Sequence, residues 1–306
     1  MLFRSLLIYN SSKASTYYVG GQKQMAQTGN QTTWRSDAYK TGTVTGYAYG
    51  YADEKETQPL YAYIAGDITP SYYDHSGNTS SDTVNEVTRR MLTVYDTKND
   101  KIPMYFFVFD NINAKSGAHK KTFLLHVPSA PEISGKTVTV KNGAGKLVLQ
   151  SVFGGDEITS IGGSGKNYWV NGKQVAPTNN GNDGFWGRVE ISPSTGNQTD
   201  QLLNVMYVCN ASDNVSLTAK AIESSEVKGA VIGKVAAVFV VKAARRTTQF
   251  SFTATGSGDL TYYVSGVKAG KWTVSAGGST QTVTATADGG LLVFTAPAGS
   301  VTLTPQ

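Results

Sequence analysis

Lys136-Thr137-Val138-Thr139-Val140, then Asn142-Gly143, then Lys146-Leu147-Val148-Leu149-Gln150-Ser151-Val152-Phe153: this stretch decides the fold class. Its apolar residues recur every second position, which puts them on one face of an extended chain and suits no helix. Asn-Gly between two such runs is a strong hairpin signal, because both residues tolerate the positive φ that a tight turn needs. Working outward, the same period continues in both directions, broken at short intervals by Gly, Asn, Asp and Ser. Towards the N-terminus it covers Leu6 to Tyr9, Tyr105 to Phe109 and Phe123 to Val127. Thr83 to Val94 spaces Val84, Val87, Met91 and Val94 near a helical period, but its β-branched residues and the alternation of Thr93-Val94-Tyr95 favour a strand. Towards the C-terminus, Gly289-Gly290 between Thr282–Thr286 and Leu291–Phe294 predicts a second hairpin. Trp272 is the expected core anchor of the last sixty residues.

The chain is therefore expected to be all-β: an antiparallel multi-sheet β-sandwich, supersandwich-like, with a small C-terminal β-sandwich. Pro128 and Pro131 interrupt the run that ends at Val127, and Arg245-Arg246-Thr247-Thr248 interrupts the next. These breaks predict units 1–128, 129–245 and 246–306.

Composition sets limits on function. The chain has 306 residues, 40% hydrophobic and 16% charged, which suits a folded globular protein. Lys and Arg outnumber Asp and Glu by 27 to 22, enough to attract a polyanion without naming one. A single cysteine, Cys209, allows no intramolecular disulfide and reads as a buried thiol. No apolar run is long enough to span a membrane as a helix. Met1 to Tyr9 lacks the apolar core and cleavage site of a signal peptide.

Catalytic signatures are sparse. His75, His119 and His126 are not at metal-ligand spacing. His126 reads as a core or edge residue of a strand, His119 as a turn beside Lys120 and Lys121, and His75 as a loop residue. Asp156-Glu157 follows Gly154-Gly155 as a polar turn, since adjacent strand residues face opposite ways and cannot act as a pair. Gly162-Gly163-Ser164-Gly165-Lys166 leads into a strand and so lacks the helix that a phosphate loop needs. Aromatic residues are the richer inventory: 17 Tyr, 11 Phe and 4 Trp. Trp34, Trp169 and Trp186 lie in polar surroundings from which they could stack on sugars, and the basic residues Lys23, Arg35 and Arg89 could line a groove for acidic groups, with simple surface solvation as the competing role of these three. Filling a β-sandwich core is the competing role for each of these rings.

Taken in order, several segments resemble heparinase II/III-like polysaccharide lyases. These are Gly20-Gly21-Gln22, Tyr61-Ala62-Tyr63-Ile64-Ala65-Gly66-Asp67, Tyr105 to Asn111, Lys120-Lys121-Thr122-Phe123-Leu124-Leu125-His126, Lys166 to Lys173 and Phe185 to Pro193. The likeness runs from about Ser5 to Val208, with a looser fit in the tail. It implies that 1–128 is the remainder of a central lyase β-sheet domain, 129–245 a second sandwich and 246–306 a small Ig-like unit.

In such lyases an α/α toroid and a histidine-rich, often zinc-containing site carry out β-elimination on a uronate. A base removes the proton next to the carboxylate, whose charge is neutralised, and an acid assists the leaving oxygen. Phe3-Arg4 stands where the family has a His-Asn dipeptide, so the chain is expected to start just after the metal site. No catalytic residue and no cofactor are then expected in it, and the zinc site belongs to the missing upstream part.

The expected partners are an acidic polysaccharide and the chain's own N-terminal helical domain, with no nucleic acid and no membrane. The parent would be periplasmic or extracellular. Two other functions fit the same residues: a stand-alone carbohydrate-binding module, or an adhesive surface protein of Ig-like sandwiches.

Overall fold

The computed structural model describes residues 6–11, 42–51, 59–73, 80–96, 99, 101–170, 172–174, 186–194 and 196–306. The first strands are β1 (Leu6–Tyr9), β2 (Thr43–Gly50), β3 (Tyr61–Asp67), β4 (Val84–Tyr95), β5 (Met104–Ala114), β6 (Lys120–Val127) and β7 (Glu132–Ser134). They are followed by β8 (Thr137–Asn142), β9 (Gly145–Phe153), β10 (Glu157–Gly162), β11 (Trp169–Val170), β12 (Lys173–Gln174), β13 (Gly187–Ser192) and β14 (Thr199–Asn210). The tail forms β15 (Lys220–Glu223), β16 (Val227–Ile232), β17 (Val235–Val240), β18 (Phe250–Ser265), β19 (Gly270–Ala276), β20 (Ser279–Ala285) and β21 (Leu291–Pro305). The fold is all-β, as the alternation predicts.

Three large sheets form layers. The outer sheet has the order β1-β6-β13-β10, the middle sheet β2-β3-β4-β5-β14-β9-β8-β7, and the third β15-β16-β17-β18-β21-β19-β20. Among the described strands, pairing is antiparallel except between β17 and β18. The middle sheet has apolar residues on both faces. In β14, Leu202 and Met206 join Phe123, Val189 and Ile191 of the outer sheet. The intervening Leu203, Val205 and Tyr207 join Ala237, Phe239 and Tyr263 of the third sheet. Phe109 and Phe239 stack across that second layer at 5.1 Å and 10°, a geometry worth about 1 kcal/mol beyond simple burial. The third sheet also wraps its own core, in which Trp272 packs with Phe250, Phe252, Val264 and Leu303. β17 is consequently buried on both sides: Val235, Ala237 and Phe239 face the middle sheet, while Ala236, Val238 and Val240 face inward.

The connections refine the expected turns. The β8–β9 hairpin forms, but Asn142 pairs with Gly145, so the central residues are Gly143 and Ala144, one position beyond the expected pair. Gly289-Gly290 is a correction: β20 pairs only with β19, and β21 lies between β18 and β19. The hairpin in this region is instead at Gly277-Gly278, where both residues have positive φ (57° and 80°) and join β19 to β20. The expected breaks near 128 and 245 both fall between strands, and sheets run across each: β5 pairs with β14 and β17 with β18.

Candidate functional site

Alternation in the outer sheet separates a packed face from an open one. Phe123 and Val127 of β6 and Val189 and Ile191 of β13 point into the core, which leaves Leu124, His126, Arg188 and Glu190 on the outer side. Arg188 organises this face. Its Nε donates to Glu190 Oε1 at 2.8 Å, Nη2 lies 2.6 Å from the same oxygen, and Nη1 donates to the Trp169 carbonyl at 2.7 Å. One side chain thereby ties β13 to the small β11–β12 hairpin. The Lys166 ammonium lies 6.0 Å from the Trp169 ring centre, within range of a cation–π contact. His126 is opposite Arg188 in the β6–β13 register. Partial burial and the positive charge of Arg188 hold its imidazole below the ordinary pKa.

Trp186 sits at the end of the same sheet. Its N–H donates to the Val127 carbonyl and its carbonyl accepts from Gly163 N–H, both at 2.9 Å. Its ring lies against Gly162, where an added Cβ would come within 2.3 Å of the indole. The ring also packs on the core between the outer and middle sheets. A cleft of about 340 Å³ at the Val127 end of β6 is lined by Leu125, His126, Pro128, Leu147 and Cys209.

The structure brings Trp169 and Trp186 to one end of the outer sheet through the Gly162-Gly163 turn and Arg188. Both rings are half-buried. Trp34, Lys23, Arg35 and His75 lie outside the described residues. His119 is held by a 2.9 Å bond between its Nδ1 and the Thr83 carbonyl. Cys209 is buried, and Asp156 pairs with Lys136 at 3.1 Å. Among the described residues no group of three or more His, Cys, Asp or Glu side chains is placed to hold a metal. Sequence reasoning missed Arg188 and Glu190. The signal was present: charges at alternate positions in Arg188-Val189-Glu190-Ile191 mark the outward face of a half-buried strand.

Residues 221–305 match the family model of the heparinase II C-terminal domain. The match agrees with the family that the sequence resembles, although it falls in the tail, where that likeness was loosest. A solved structure described as heparinase III aligns at 13% identity with a TM-score of 0.34, over 70% of this chain and 32% of that one. The chain thus spans about a third of that protein's length. No curated protein matches the chain by sequence.

Proposed function

We propose that this lyase-related β chain is the non-catalytic, glycan-holding portion of a polysaccharide lyase whose substrate is an acidic, uronate-containing polymer of the heparin-like or alginate class. The observation that carries this reading is the outer-sheet end, where the Lys166 ammonium lies over the Trp169 ring and Arg188 ties the Trp169 backbone to β13. An indole offers a sugar ring an apolar face. The Lys166 ammonium offers a uronate carboxylate or a sulfate its counter-charge, while Arg188, already bound to Glu190 and to the Trp169 carbonyl, holds the hairpin that carries the indole. The excess of basic residues favours the same class of partner. The match of residues 221–305 to a heparinase domain supplies the lyase context.

β-Elimination leaves an unsaturated uronate, whose conjugated double bond absorbs in the ultraviolet. The chain incubated alone with heparin or alginate is expected to bind the polymer without a rise in that absorbance. Trp169→Ala is expected to weaken binding about tenfold, the usual cost of truncating a central aromatic contact. Product formation by the isolated chain would contradict the non-catalytic reading. Equal binding of a neutral glucan would contradict the acidic substrate.

A further inference from the structure

A second surface, remote in sequence from Trp169, presents aromatic rings in a row. Tyr47 and Tyr49 on β2, and Tyr51 just beyond it, are 51%, 63% and 45% exposed. They occupy alternate positions and therefore share one side of the extended chain at a repeat of about 6.8 Å. Tyr51 stands edge-on to Tyr49 at 5.8 Å and 76°, bracing the most exposed ring of the three. The residues between them are small because the other side of the strand is crowded. A Cβ on Gly50 would come within 2.4 Å of the Tyr61 ring, and one on Gly46 would reach the carbonyl oxygens of Asp288 and Gly289 at 3.1 and 3.0 Å. At the other end of β2, a separate cleft of about 200 Å³ is lined by Thr43, Val44, Ile64 and Met91 and by none of the three tyrosines.

The form of this surface selects its occupant. β2 is an edge strand, and such an edge would ordinarily invite another strand. Here it is already occupied. The Tyr47 N–H donates to the Asp288 carbonyl at 3.1 Å, and Arg245 donates to the Thr45 carbonyl at 2.9 Å and the Asp288 carbonyl at 3.1 Å. Strand addition by a second copy is blocked over this part of the edge. The three rings expose on the order of 300 Å², taking about 200 Å² per aromatic side chain, whereas a specific protein interface needs about 800 Å² per partner. A narrow row of apolar faces ending in hydroxyls suits a linear polymer of rings with apolar C–H faces and hydroxyl rims.

We propose that Tyr47 and Tyr49, with Tyr51 bracing Tyr49 edge-on, form a stacking shelf for sugar rings of the bound polysaccharide, a second contact beyond the Trp169 end. The proposal rests on the glycan-binding reading above and adds to it a site of different physics. The Trp169 end pairs charge with charge and is screened by salt, while stacking is not. Binding through the shelf therefore persists at high ionic strength.

Calorimetric titration of the whole chain with heparin and alginate oligosaccharides tests this, at low and high salt. Tyr49→Ala is expected to weaken binding about tenfold at both salt concentrations, Tyr49→Phe to retain most of it, and Trp169→Ala to reduce it independently. Circular dichroism checks that each variant folds. Unchanged affinity in Tyr49→Ala, with the loss in Trp169→Ala intact, would overturn the shelf and leave the proposed function standing. Absence of binding by the unaltered chain would overturn both. A change of oligomeric state in Tyr49→Ala, seen by light scattering with glycan affinity unaltered, would make the row a protein contact and also overturn the shelf.

Discussion

Asp110 is fully buried, and among the described residues its charge is met by Arg89, whose Nε and Nη2 bind its two oxygens at 2.5 and 2.7 Å. Burial lowers the pKa of Arg89, but the charge and hydrogen bonds of Asp110 outweigh this and raise it. Nearby, burial pushes the Tyr72 hydroxyl up, and that hydroxyl donates to the Leu6 carbonyl at 2.8 Å. Removing one partner leaves the other charged and desolvated, so Asp110→Ala is expected to cost about 3–5 kcal/mol in denaturant melts. The double change Arg89→Met with Asp110→Leu removes both charges and is expected to cost less than Asp110→Ala alone. The reverse ranking would show that the pair is not isolated from water. His126 gives a pH signature. Its folded pKa lies below the unfolded value of about 6.5, so the unfolded chain binds the proton more readily. Its contribution is fully present above that value and is lost as pH falls through the interval down to the folded pKa. Thermal melts between pH 7.5 and 5.5 should show a smaller acid loss in His126→Gln than in the unaltered chain. The alternation of sequence told which face His126 would occupy only once β6 was known to lie inside the outer sheet. The Arg188 beside it comes from β13, more than sixty residues away, and no local pattern announces that pairing.

At the scale of elements, alternation located the strands but not their neighbours. Gly277-Gly278 and Gly289-Gly290 look alike as dipeptides, yet only the first makes a hairpin. β21 is captured by the long β18, whose 16 residues offer a longer pairing surface than the 7 of β20. Hydrogen-bond partners far along the chain thus decided what the turn became. Gly278 has φ 80° and open space around its Cα, so Gly278→Ala tests backbone conformation alone and is expected to cost about 1 kcal/mol. Gly162 is limited in another way. There a side chain meets the Trp186 ring, so Gly162→Val is expected to displace the indole and change its fluorescence. An unaltered emission spectrum would show that the ring is not seated on this glycine. Half-burial of Trp169 and Trp186 was likewise not legible from their polar surroundings, because the glycine turn that receives one of them is identified only by the paired strands.

At the scale of the whole molecule, the middle sheet is shared property. Its inner strands place Phe107, Phe109, Val205 and Tyr207 against the tail, while Arg90 of β4 donates to the carbonyls of Val240 and Lys242 at the end of β17. Composition and period were enough to give an all-β chain with several sheets. That one sheet would supply two cores could be read only faintly, in the runs of β5 and β17 that are apolar at consecutive positions. A chain ending at residue 219 is expected to expose that second core and bind a hydrophobic dye strongly. A soluble, dye-silent fragment would show that the tail folds apart from the rest. The joined body is what would let the lyase-related tail support the proposed glycan face on the opposite layer. Titration of the intact chain with heparin and alginate oligosaccharides against a neutral glucan, at low and raised salt, tests that account most directly. It predicts binding of the acidic chains that weakens as salt rises, weaker binding of the neutral one, and no unsaturated product; indifference to the acidic polymers, or equal affinity for the neutral glucan, would contradict it.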